Sequence, residues 1–103
     1  MRHFYRTQLT PAEVMEAADA FFGLLGLRIT ASEMRTRIYQ GVVGTPEVVA
    51  NARLSVKPEG GHYTFVEIET DQMGESRLDR NVKRFFVELH RRAEPAHRLE
   101  AAY

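Results

Sequence analysis

A chain of 103 residues with fourteen basic and fourteen acidic side chains, 44% hydrophobic and 27% charged, has the balance of an ordinary folded domain, which excludes disordered, collagen-like and coiled-coil chains. Zero net charge removes any whole-molecule field that would draw it to nucleic acid or an anionic membrane. The lack of cysteine excludes disulfides, thiolate zinc sites, iron–sulfur clusters and a cysteine nucleophile together, and a reducing, cytoplasmic location is expected.

Residues 1–103 are expected to form a single domain around one core, with 96–103 an Ala-rich tail that frays. The opening Met1-Arg2-His3-Phe4-Tyr5-Arg6 lacks the apolar run of a secretory signal. The apolar cluster at 21–27 is broken by glycines and falls far short of the ~20 residues that span a bilayer.

In chain order, residues 3–9 read as a short strand rich in aromatic and β-branched side chains. Thr10-Pro11-Ala12-Glu13 is a helix start: threonine caps, proline suits the first helical position, and the glutamate completes a capping box. Val14, Ala17, Ala18, Phe21, Phe22, Leu24 and Leu25 then recur at helical spacing on one side, with Glu13, Glu16 and Asp19 on the other. Gly26 ends that helix in the left-handed conformation.

Residues 27–30 follow as a strand and, after a polar break at Ala31-Ser32, Met34, Thr36, Ile38, Gln40 and Val42 alternate with Glu33, Arg35, Arg37 and Tyr39. The first set is expected on the core side and the second on the wet side. After a turn at Gly44-Thr45-Pro46-Glu47, Val48, Ala50, Ala52, Leu54 and Val56 are expected inward, with Asn51, Arg53, Ser55 and Lys57 outward. Pro58-Glu59-Gly60-Gly61 turns the chain into a further strand, with Thr64, Val66 and Ile68 on one face and Phe65, Glu67 and Glu69 on the other. Beyond the loop Asp71-Gln72-Met73-Gly74, Ser76 opens a second helix whose buried stripe is Leu78, Val82, Phe85, Phe86, Leu89 and Ala93, ending at Pro95. The fold expected is α+β: β-α-β-β-β-β-α, an antiparallel sheet of four to five strands with two helices on one face.

His3, His62, His90 and His97 are scattered without metal-binding spacing, so no metal is assigned. Catalytic and phosphate-loop motifs are missing too, and neither a catalytic residue nor a cofactor is expected. Glu67 and Glu69 share a strand face, but arginines expected opposite would lower their pKa values, which suits acid catalysis poorly. The ligand or interface candidates are Arg35, Arg37, Tyr39, Arg53, Phe65, Glu67 and Glu69, a charged outer face on which Phe65 stands as a large aromatic wanting a partner. The alternative for this face is a solvated lattice of weak ion pairs. The last helix adds a basic stripe of Arg77, Arg80, Arg84 and Arg91, with seven basic against three acidic residues over 77–98. No nucleic-acid module surrounds the stripe and Glu88 interrupts it, so a solvated helix face is the expected reading and a phosphate or acidic-partner contact the alternative.

The order β-α-β-β-β-β-α resembles the TATA-binding-protein-like arrangement. The run Phe4-Tyr5-Arg6-Thr7-Gln8-Leu9-Thr10-Pro11-Ala12-Glu13-Val14, a strand leading through a Thr-Pro cap into a helix, is similar to the opening of helix-grip proteins related to START and Bet v1 domains. That resemblance implies a ligand pocket between final helix and sheet, bordered by Phe85, Phe86 or Leu89 and by Val56 or Ile68. The chain is much shorter than that family, and no functional residue carries over. The expected function is a small soluble binding or accessory domain that self-associates as a homodimer. The alternatives are a helix-grip-like small-molecule carrier or enzyme, and an anion or nucleic-acid contact through the basic helix. Nucleic acid is the less expected partner, and no membrane partner is expected.

Overall fold

The computed structural model of the chain describes residues 1–43, 48–72 and 76–93, the Val43 side chain excepted. The turn expected at Gly44-Thr45-Pro46-Glu47, the loop residues Met73 and Gly74, the helix end at Pro95 and the tail 96–103 lie outside the described residues. Strand β1 (Arg2–Thr7) leads into helix α1 (Pro11–Leu24); strands β2 (Arg28–Glu33), β3 (Thr36–Val43), β4 (Val48–Glu59) and β5 (Tyr63–Thr70) follow, and then helix α2 (Arg77–Ala93). The sheet runs β1-β5-β4-β3-β2, antiparallel throughout. The first strand therefore closes against the last, α1 carries the chain across to the far edge, and the remaining strands meander back. This is the expected α+β architecture with five strands.

Local chemistry sets the boundaries of α1. The Thr10 hydroxyl accepts from the Glu13 N–H at 3.2 Å while the Glu13 carboxylate accepts from the Thr10 N–H at 3.2 Å, so two of the helix's orphan donors are satisfied. At the other end Gly26, at φ +86°, turns the chain. Its N–H reaches the Gly23 carbonyl at 3.0 Å, the Leu27 N–H reaches that of Phe22 at 3.1 Å, and Leu27 and Phe22 are both buried, which together make a Schellman end. Gly41 matters for the next step. A Cβ there would overlap Leu27 Cδ2 and stand 3.2 Å from Leu27 Cα, so a side chain at 41 would force the buried Leu27 side chain to move and the α1–β2 connection to shift by a few tenths of an ångström.

The core lies between the helices and one sheet face: Val14, Ala17, Ala18 and Phe22 of α1, Leu54, Val66 and Ile68 of the sheet, and Leu78, Val82, Phe85 and Leu89 of α2 are fully buried. α1 packs on β4 and β2, and α2 on β1 and β5. Removing each Leu, Ile or Phe side chain from water stabilises by about 1.5–3 kcal/mol, which makes these positions the main source of folding free energy.

Three expectations are corrected. The chain turns at Met34-Arg35 between β2 and β3, so Met34 belongs to a hairpin tip, 88% exposed. β3 is consequently inverted: Tyr39 opposite Ala52 and Arg37 opposite Leu54 face the helices, while Thr36, Ile38, Gln40 and Val42 face outward with Ser55, Arg53, Asn51 and Val49. A slip of one residue flips every side chain of a strand. Finally Val48, Leu24 and Leu25, expected in the core, are exposed: Leu24 and Leu25 form the C-terminal end of α1 and Val48 the first position of β4.

Candidate functional site

The outer face, opposite the helices, carries Arg2, Phe4 and Arg6 of β1, Phe65, Glu67 and Glu69 of β5, and Arg53 and Lys57 of β4, as the strand pairing requires. Of the candidates, Arg53, Phe65, Glu67 and Glu69 thus share one surface. Arg37 and Tyr39 are on the other side of the sheet and Arg35 is in the β2–β3 turn. Phe65 finds its aromatic partner within the chain. It stacks on Phe4 with centroids 5.6 Å apart, and the Arg6 guanidinium lies over its ring at 5.1 Å. Arg2 Nε sits 3.5 Å from both Glu67 and Glu69, and Arg6 bonds Glu59 at 2.9 Å. Exposed pairs of this kind contribute about 0–1 kcal/mol each, so this end of the face is a self-satisfied surface lattice.

Tyr39 and Arg37 instead form an internal polar link. The Tyr39 hydroxyl donates to Asp19 Oδ1 at 2.7 Å; burial first, and then this bond, hold the phenol well above its usual range, so it stays protonated. Arg37 Nη1 donates to the Glu33 carbonyl at 2.6 Å, and its buried Nε lies 3.4 Å from Asp19 without hydrogen-bond alignment. These residues fasten α1 to β3. Asn51 and Asp71 make a second link on the outer side: the Asn51 backbone and side-chain N–H groups donate to the two Asp71 oxygens at 2.9 and 2.8 Å. Desolvation alone would raise Asp71, but the bonds from Asn51 and Gln72 outweigh it and leave the carboxyl below its usual range.

The two sheet edges differ. On β1, His3 Nε2 bonds the fully buried Asp79 carboxylate in the first turn of α2, and Lys83 Nζ lies 3.5 Å from the same group. Sequence reasoning missed this pair because its members stand at opposite ends of the chain. On β2, all six residues are exposed. Arg28 and Glu33 make no side-chain ion pair among the described residues, and apolar side chains gather at this end: Leu24 is 89% exposed, Val42 and Val49 57% each, and Ile29 45%. Leu25, Gly26, Arg28, Gln40, Gly41, Val42 and Val49 enclose a cleft of about 440 Å³.

On α2, Arg77, Arg80 and Arg84 line a second cleft of about 430 Å³ with Asn81 and Leu25. Arg91, the fourth member of the stripe, is elsewhere and occupied: it and Arg92 grip Glu88, which these bonds hold below the usual carboxylate range.

The pocket that a helix-grip reading needs is filled by side chains, since Phe85, Leu89 and Ile68 are fully buried against one another's cluster and Phe86 stacks on Tyr5. Among the described residues no three His, Asp or Glu side chains are grouped to hold a metal, and no helix is long and apolar enough to cross a membrane. Compared with known families and with curated proteins, the sequence matches no family model and no relative.

Proposed function

We propose that this chain is a binding domain that works as a homodimer, two copies joining their β2 edges into one continuous sheet. The observation that carries this reading is the bare β2 edge and its self-complementary charge. In an antiparallel pair of β2 strands centred between Thr30 and Ala31, Arg28 of each copy faces Glu33 of the other. In a regular strand those two positions would point to opposite faces. The bulge between Ile29 and Ala31 puts both on the outer face, Arg28 beside Gln40 and Glu33 beside Thr36, which is what a two-fold pairing of this register requires.

An exposed strand edge offers a row of unpaired N–H and C=O groups, and a second copy satisfies them without new chemistry. The exposed Ile29 of β2 and the exposed Leu24 at the end of α1 would lose water on pairing. Sedimentation velocity from micromolar to near-millimolar concentration tests the reading. A concentration-dependent shift from one to two copies is expected, and a strict monomer throughout contradicts it.

A further inference from the structure

The arginine cleft on α2 is separate from the β2 edge and independent of whether that edge is paired. Arg77, Arg80 and Arg84 follow one another at spacings of three and four along the helix, so they share a face, and Asn81 and Leu25 complete the walls. Each of the three is exposed, and among the described residues none has an acidic side chain within ion-pair reach. Five other arginines are paired: Arg2 with Glu67 and Glu69, Arg6 with Glu59, Arg37 with Asp19, and Arg91 and Arg92 with Glu88; Arg28, Arg35 and Arg53 make no ion pair among the described residues, but they do not stand together on one helix face. Stacking three like charges on neighbouring turns is locally destabilising, so a set in a concave site with no acid paired to it among the described residues is an arrangement that an anion relieves.

We propose that this cleft binds a small molecule carrying two or more linked phosphoryl groups. Arginine supports this choice because its planar fork of N–H donors matches phosphate oxygens two at a time. The spacing supports more than one phosphoryl group: Arg77 and Arg84 are two turns apart, about 10 Å along the axis, farther than one phosphate reaches, with Arg80 between them. The cleft's size falls within the ~300–1,000 Å³ of small-molecule sites. Leu25 lines both this cleft and the apolar one beside it, so the rest of such a molecule would run over Leu25 towards Val42 and Val49.

The test is isothermal titration of the full chain with inorganic tripolyphosphate at low salt, with inorganic phosphate and a single-stranded oligonucleotide as comparison probes. Saturable one-site binding of tripolyphosphate, much tighter than that of phosphate, is expected. Arg80→Ala and Arg84→Ala should each weaken it about tenfold, as the loss of charge-assisted hydrogen bonds does, while Arg91→Ala should leave it within about twofold because Glu88 already holds that guanidinium. All three side chains are exposed, and circular dichroism checks that the variants fold. The proposal is overturned by no saturable binding, by equal losses in Arg91→Ala and Arg80→Ala, which mean diffuse attraction, or by an oligonucleotide whose affinity exceeds that of tripolyphosphate and grows with length.

Discussion

The two edges of the sheet are finished differently. β1 is moored: His3 bonds the buried Asp79 of α2, the Thr70 N–H reaches the Met1 carbonyl at 2.8 Å, and Arg2 and Arg6 lie down on β5 and β4 acids. β2 is held by its ladder with β3, by Arg37 on the Glu33 carbonyl, and from beneath by Leu27 on Gly41 and the neighbouring Tyr39–Asp19 link, and all six of its residues are exposed. Side chains at the first edge are consumed in holding one chain together, whereas Arg28 and Glu33 at the second are exposed and make no side-chain ion pair among the described residues. The contrast makes a separable prediction: changes at β1 should move folding free energy and leave association alone, and changes at β2 should do the reverse.

The largest expected effect is at the moored edge. His3→Ala removes one partner of a carboxylate with no exposed surface, which Lys83 also approaches, and losing a hydrogen bond to a charged group costs about 1.5–3 kcal/mol. Urea unfolding should show a lower midpoint at unchanged slope, and sedimentation of the folded variant should match that of the parent. Gly41→Ala comes next, at about 1–3 kcal/mol, because the new methyl group must displace Leu27; a cost near zero would mean that the α1–β2 connection does not rest on β3.

Tyr39→Phe should cost about 1 kcal/mol for the hydrogen bond to Asp19. It also carries a pH signature. The folded phenol is raised above its ordinary 10.0, so its contribution is complete below about pH 10 and is lost as the unfolded chain, but not the folded one, ionises above it. The parent should therefore lose stability above that pH more steeply than Tyr39→Phe. The smallest effect is Phe4→Ala: separating the exposed Phe4–Phe65 stack should cost about 0.5–1 kcal/mol and leave sedimentation unchanged. A lost dimer in that variant would move the interface to the outer face.

What the sequence disclosed and what it hid follow from range. The α1 cap was legible because Thr10, Pro11 and Glu13 act on one another within a single turn. β4 and β5 were legible because Leu54, Val56, Val66 and Ile68 alternate with charged neighbours over a long stretch. The phase of β3 is hidden because the turn at Met34-Arg35 contains no glycine, proline, asparagine or aspartate, so nothing local marks where the strand begins. Its inward residues are moreover a tyrosine, an arginine and a glycine, while Ile38 and Val42 face out. Gly41 was the available clue, since a glycine inside a strand signals close approach of another segment. The His3–Asp79 pair and the strand order depend on contacts between distant parts of the chain, which no local pattern records. The clustering of Arg77, Arg80 and Arg84 is legible from helical spacing, as is the interruption of the stripe by Glu88, but that Glu88 holds Arg91 and Arg92 depends on side-chain geometry.

The central claim is that β2 pairs with β2 in the register that sets Arg28 against Glu33. Sedimentation equilibrium on Arg28→Glu, on Glu33→Arg and on the double variant tests it most directly. Each single change places like charges opposite each other twice and should weaken the dimer, and the double swap should restore it to the parent's affinity. Single variants that associate as the parent does, or a double variant weaker than either single one, would contradict the account.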